Sequence, residues 1–191
     1  MPHAGRSGGG WWANLRGSLV VFAVIAGISY GLPAIDHALP DHRAIPSGIR
    51  IAVGHGVTVL PPPRSVQDSV ETSPRDGRLV LEVSGARYAV DVSPYLGTLR
   101  EAATRLLTRI AELPGYQLSG TPYPVATLDG VPGLAGRFSS ARRDGFYAVY
   151  VTGGRLVEVV AHGVGFALSG TLSRVRQSVA TIRFEATGVG P

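Results

Sequence analysis

One hairpin constrains the fold more than any other segment. Phe146–Val151 and Leu156–Ala161 are β-type runs that flank Gly153-Gly154. A two-residue turn there fixes the register: Thr152 opposes Arg155, Tyr150 opposes Val157, and Ala148 opposes Val159. Side chains alternate across a strand, so one face carries Phe146, Ala148, Tyr150, Val157, Val159 and Ala161. The other carries Tyr147, Val149, Val151, Leu156 and Val160, with Glu158 among them. Both faces are apolar, and such a hairpin must be covered on both sides. It predicts an α+β domain: an antiparallel sheet with helices on both faces, an α/β/α sandwich.

Two helices are available as covers. Thr98 and Glu101 form a T-x-x-E capping box. Leu99, Ala102, Ala103, Leu106, Leu107, Ile110 and Leu113 follow at helical spacing, and Pro114-Gly115 ends the run. Arg100, Glu101, Arg105, Arg109 and Glu112 fill the other face, with Glu101 and Arg105 spaced as a favourable i,i+4 pair. The second stripe is Leu168, Leu172, Val175, Val179 and Ile182, after which Ile182-Arg183-Phe184 is expected as a terminal strand or packed tail. Further strands are expected at Ile51–Val53, Val57–Leu60, Arg78–Val83, Arg87–Val92, Val125–Leu128 and Leu134–Ser139.

Leu15–Leu32 (LRGSLVVFAVIAGISYGL) has no charge after Arg16 until Asp36. A helix from Trp11 to Leu32 would run about 33 Å, enough for a hydrocarbon core of about 30 Å. Trp11 and Trp12 stand at one end and Tyr30 near the other, where aromatic rings favour the membrane interface; Phe22 lies between. Pro33 closes the helix. Arg6 and Arg16 precede it with no acid, and Asp36, His37 and Asp41 follow, so the N-terminus is expected inside and the rest outside. The apolar run is longer than the core of a signal peptide, and Ile28–Pro33 is a poor cleavage site, so an uncleaved anchor is favoured over a cleaved, secreted form. The expected organisation is a cytoplasmic tail (1–14), a transmembrane helix in the lipid bilayer (15–33), a Pro-rich stalk (34–50), an extracytoplasmic domain (51–186) and a C-terminal tail (187–191).

Composition removes several chemistries. All 18 basic side chains are Arg, and the chain has no Lys and no Cys. Schiff-base chemistry, a phosphate-loop lysine, disulfides, thiol nucleophiles and thiolate metal sites are therefore excluded. The net charge of +5 is spread along the chain without a basic stripe, which argues against nucleic acid as a partner.

The order of elements resembles the Mog1/PsbP-like fold, including small actinobacterial envelope proteins of that type. The resemblance rests on Gly130-Val131-Pro132-Gly133-Leu134-Ala135-Gly136 entering a strand, the Phe146–Ala161 hairpin, and Leu172–Phe184. It implies a binding or accessory domain rather than an enzyme. Envelope lipoproteins of this type carry an N-terminal acylated Cys; this chain has none, and the anchor helix would take its place.

No catalytic residue, cofactor site or metal site is assigned, and no G-x-S-x-G, H-E-x-x-H, G-x-G-x-x-G or phosphate loop occurs. Asp36-His37 and Asp41-His42 read as solvated linker residues, and His55 between two glycines as a turn residue. Glu158 and His162 share a strand face about 13 Å apart, too far for direct cooperation. Glu158 on an apolar face calls for a partner, and Arg137 on a neighbouring strand is the expected one. Arg142-Arg143-Asp144-Gly145 reads as a solvated turn, with contact to a lipid phosphate or a partner as its lesser use. Glu158, His162, Arg137, Arg142 and Arg143 are thus the candidate contacts for an unknown envelope protein or lipid ligand. The competing reading is an envelope hydrolase whose site is assembled from separate strands.

Overall fold

The structure, a computed structural model, describes residues 42–185; of residues 42 and 166–169 it describes the backbone alone. Tail, anchor and the first part of the stalk, with Trp11, Trp12, Arg16, Phe22 and Tyr30, lie outside the described residues, as does the C-terminal tail. Among the described residues no helix is long and apolar enough to cross a membrane.

In chain order the elements are β1 (His42–Ala44), β2 (Ile51–Gly54), β3 (Val57–Val59), β4 (Val66–Asp68), β5 (Arg78–Val83), β6 (Ala86–Pro94), α1 (Leu99–Glu112), β7 (Gln117–Ala126), β8 (Pro132–Ser139), β9 (Arg143–Thr152), β10 (Arg155–Val164), α2 (Gly165–Ala180) and β11 (Arg183–Phe184). Eight strands form one antiparallel sheet in the order β1-β4-β5-β6-β10-β9-β8-β7, and β11-β3-β2 form a second.

The β9–β10 hairpin has the expected register, with Tyr150 opposite Val157 and Ala148 opposite Val159. Gly153 and Gly154 have φ of 57° and 72°, the left-handed pair that a twisted two-residue hairpin turn needs. The two faces go to two cores. Phe146, Ala148, Tyr150, Val157, Val159 and Ala161 pack with Val175, Val179 and Ile182 of the α2 segment, and with Val53, Val57 and Val59 of the small sheet. Tyr147, Val149 and Leu156 pack with Ala102, Leu106 and Ile110 of α1. Each Val, Leu, Ile or Phe among them stabilises the fold by about 1.5–3 kcal/mol when fully buried. The sandwich is therefore present, with helices on opposite faces and the small sheet sharing the α2 side.

The capping box of α1 is complete. The Glu101 N–H donates to Thr98 Oγ1 at 3.2 Å, and the Thr98 N–H donates to Glu101 Oε2 at 2.8 Å. The second of these bonds engages the Glu101 carboxylate, and Arg105 lies over the Tyr95 ring at 5.7 Å.

Four expectations differ from what is observed. The last strand before the 127–131 turn spans Gln117–Ala126 rather than Val125–Leu128. Gly120, Pro122 and Pro124 hide it, yet β7 is an edge strand, where a missing backbone N–H can face solvent. His42–Ala44, read as stalk, pair with Val66–Asp68 in the large sheet. The β4 segment itself is only three residues long and follows Pro61–Pro63. Arg143, Asp144 and Gly145, read as turn, are paired with β8 or β10 as the start of β9.

Glycines of β8 and β9 face aromatic rings. Gly133 opposes Tyr150, Gly136 opposes Tyr147, and Gly145 opposes Phe138. A Cβ at these glycines would lie 2.5 Å from Tyr150 Cδ1, 2.5 Å from Tyr147 Cζ and 2.5 Å from Phe138 Cε1, respectively. Each ring thus lies flat across the partner strand, in room that only glycine leaves.

Two polar connections tie the small sheet down. Arg155, at the start of β10, donates to the carbonyls of His55 (3.1 Å), Gly56 (3.3 Å) and Glu185 (3.0 Å) and stacks 5.6 Å from the Phe184 ring. Buried Tyr88 Oη lies 3.2 Å from Ser178 Oγ, which donates to the Leu60 carbonyl at 2.7 Å. That bond joins β6, α2 and the strand end after β3, and burial holds the Tyr88 phenol well above its ordinary pKa.

Candidate functional site

The face of the large sheet that carries α1 is only half covered. α1 packs on β7, β8 and β9. Toward β10, β6 and β5 the sheet is covered by its own charged side chains. Strand pairing sets them in rows. Arg78, Asp91 and Glu158 sit side by side across β5, β6 and β10. Glu82, Arg87 and His162 form a parallel row four residues along, and Val80, Ala89 and Val160 lie between.

The first row alternates in sign. Arg78 Nη1 donates to Asp91 Oδ1 at 3.0 Å. Glu158, with 14% of its side chain exposed, receives Arg109 from α1 at 2.5 Å. Asp91 lies between Arg78 and Glu158. Burial first, and the Glu158 carboxylate in addition, push its pKa up, while Arg78 opposes the shift. Outside the rows, Glu71 joins them. Arg87 grips Glu71 with both guanidinium nitrogens, one at 2.6 Å, and Arg78 approaches the same carboxylate at 3.6 Å. The bond from Arg87 holds the Glu71 pKa below the usual carboxylate range.

His162 is half-buried at the end of the second row. Burial, then the positive charges of Arg143 and Arg87, lower its pKa. Arg143 reaches this face as the first residue of β9, opposite Val164. The structure thus brings together Glu158, His162 and Arg143 on one sheet face, with Glu158 and His162 at opposite rows. Arg142 is exposed in the turn before β9.

Arg137 is not the partner of Glu158. It opposes Phe146, whose side chain belongs to the α2 face, whereas Glu158 opposes Val149 on the α1 face. One residue of strand parity puts the two on opposite sides of the sheet. The true partner, Arg109, belongs to the helix face expected to point to water. Arg78, Asp91 and Glu71 were missed as well. The signal for Arg78 and Asp91 lies in the β5–β6 hairpin: a two-residue turn at Ser84-Gly85 sets Arg78 opposite Asp91 and Glu82 opposite Arg87, two opposite-charge pairs, whereas Glu71 lies outside the hairpin.

On the other face, Tyr123, Val125, Phe146, Tyr150, Arg176 and Val179 line a groove of about 300 Å³ between β7 and α2. Among the described residues no three His, Asp or Glu side chains gather as a metal site would require.

The chain matches no family model, and no curated protein matches it in sequence. A solved structure does match in shape: cyanobacterial PsbP (CyanoP) from Synechocystis sp. PCC 6803. The two share 13% identity with a TM-score of 0.51, covering 73% of this chain and 97% of CyanoP. The fold is PsbP-like. The Ran-binding protein Mog1p of Saccharomyces cerevisiae is also similar, at 13% identity and a TM-score of 0.48, over 76% of this chain and 100% of Mog1p. In the PsbP-like frame, the charged rows occupy the half of the sheet that α1 leaves open, and the groove lies on the opposite face, behind the strands that α1 covers.

Proposed function

We propose that this chain is a single-pass membrane protein of the cell envelope whose outer PsbP-like domain binds a partner protein and catalyses no reaction. The observation that carries the reading is the half of the sheet that α1 leaves to its own charged side chains. An antiparallel sheet can leave one face to water, but this one arranges Arg78, Asp91, Glu158, Arg109, Glu71 and Arg87 into a fixed lattice of ion pairs. Surface pairs of this kind add little to stability. Held in register on a rigid sheet, they offer a pattern of alternating charge that a complementary protein surface can match, which gives specificity and steering. Arg109 engages Glu158, and that supports a structural role for this acid over acid–base chemistry. The apolar segment 15–33, the aromatic residues at its ends and the arginine bias before it support the anchor and its orientation.

The test uses the full chain in its native membrane. A photo-crosslinking residue at Glu82, the outer end of the second charged row, is compared with one at Glu112 on the exposed side of α1. The expected result is a discrete protein adduct from position 82 and none from 112. No adduct at 82, or equal adducts at both, would remove the partner surface. In the same cells an externally added protease should digest residues 42–185; full protection would place the domain inside and overturn the envelope assignment.

A further inference from the structure

The groove on the α2 face has the chemistry of a ligand site that the partner-binding reading does not use. Its floor is aromatic and aliphatic: Val125, Phe146, Tyr150 and Val179. One cation stands at its wall. The Arg176 guanidinium lies 5.8 Å from the centre of the Tyr123 ring and 5.7 Å from that of Phe146, and Nη2 donates to Tyr123 Oη at 2.7 Å. Two rings and a hydroxyl thus hold the group in one place, while its side chain stays exposed and makes no ion pair among the described residues. A guanidinium has five N–H donors, and one is used here.

The groove lining holds a cation and no acid. α2 carries Arg174 and Arg176 and no acid; β7 carries no charged residue; β8 carries only Arg137, on this face opposite Phe146; and the acid on this face of β9, Asp144, stands beside Gly165 at the start of α2, outside the lining. The nearby acid of the 127–131 turn, Asp129, is already paired with Arg183 at 3.3 Å. An anion entering the groove therefore meets an oriented cation with no internal carboxylate to displace. A volume of about 300 Å³ lies at the lower end of small-molecule sites. The wall also refuses an added strand. β7 is the sheet edge, and Pro122 and Pro124 remove the N–H groups that strand addition would use.

We infer that this groove binds a small carboxylate with a compact apolar body. The acid group takes the free donors of Arg176, and the apolar part lies on Val125, Phe146, Tyr150 and Val179. The site is independent of the charged rows on the opposite face of the sheet.

Sodium 3-phenylpropionate is the probe, titrated into the full chain in zwitterionic lipid nanodiscs and followed by the methyl NMR signals of Val125 and Val179. Saturable shifts are expected at both. Arg176→Gln should weaken binding about tenfold or more, as loss of a charge-assisted hydrogen bond does. Tyr123→Phe should weaken it less, and Arg174→Gln should leave it unchanged. Unshifted distant methyls such as those of Leu106 show that the variants are folded. The inference is overturned if no saturable shift occurs up to the solubility limit. It is equally overturned if 3-phenylpropan-1-ol binds as well as the acid, or if Arg176→Gln binds as the native chain does. Binding of N-acetyl-Glu-Phe-amide with none of the phenylpropionate would replace the small ligand by a peptide and also overturn it.

Discussion

Gly145→Ala asks the sheet to hold a methyl group where a ring now lies. Gly145 faces Phe138 across β8 and β9, and a Cβ there would lie 2.5 Å from Phe138 Cε1. Cζ and Cε2 of the ring would lie closer still. Carbon atoms rest at about 3.5–4.0 Å, so the ring must retreat by about 1.5 Å. It has little room. Phe138 is 3% exposed, packs with Ala102, Leu106 and Ile110 of α1, and meets the Tyr116 ring at 5.6 Å. Overpacking of this kind costs about 1–3 kcal/mol. Removing a strand glycine returns about 0.5–1 kcal/mol, and the net loss is expected near 1–2 kcal/mol. The control is Phe138→Leu, which shortens the ring to a side chain able to move aside without the loss of about 3–5 kcal/mol that alanine would bring. In that background Gly145→Ala should be neutral or slightly stabilising. Urea unfolding of the four proteins, followed by the near-ultraviolet dichroism of the tyrosines, gives the cycle. A coupling of about 1.5–2.5 kcal/mol is expected; additivity within about 0.5 kcal/mol would refute the ring-over-glycine account.

Arg109→Ala leaves the nearly buried Glu158 without its guanidinium and should cost about 1–2 kcal/mol in urea unfolding, partly restored by adding Glu158→Gln. His162 has a folded pKa below its ordinary 6.5, so it prefers to be neutral in the native state. Stability is therefore full above about pH 6.5 and falls as pH drops through the folded value; His162→Gln should flatten that slope in melts across the range. Thr98→Ala removes the side-chain half of the α1 capping box and should lower stability by about 1 kcal/mol, measured the same way.

Much of this fold is written locally. The Gly153-Gly154 turn fixes the β9–β10 register within a dozen residues, and the two apolar faces that follow from it already demand two covers. Thr98 and Glu101 mark the start of α1 within four residues. What stayed hidden depends on partners far along the chain. β7 looks unlike a strand because its prolines are tolerated only at an edge, and edge position belongs to the assembled sheet. Arg109 looked solvent-facing because helix periodicity gives a stripe but not the tilt that brings one outer residue over β10. The side that Arg137 takes depends on the register of β8 on β9, closed by the irregular turn at 140–142, and the strand's own pattern does not give that register.

The small sheet pairs β3 with β11, near opposite ends of the described chain: Thr58 with Arg183 and Val57 with Phe184. Ile182 fills the same core as Val53, Val57 and Val59. A chain that emerges N-terminus first can therefore assemble all eight strands of the large sheet and still leave the apolar layer beneath β2 and β3 unsealed. Closure waits for the last residues, and Arg155 can take the carbonyls on both flanks only once they arrive. The segment Ile182–Phe184 acts as a clasp: a product that stops before it keeps the framework of the large sheet but shows its core to chaperones and proteases.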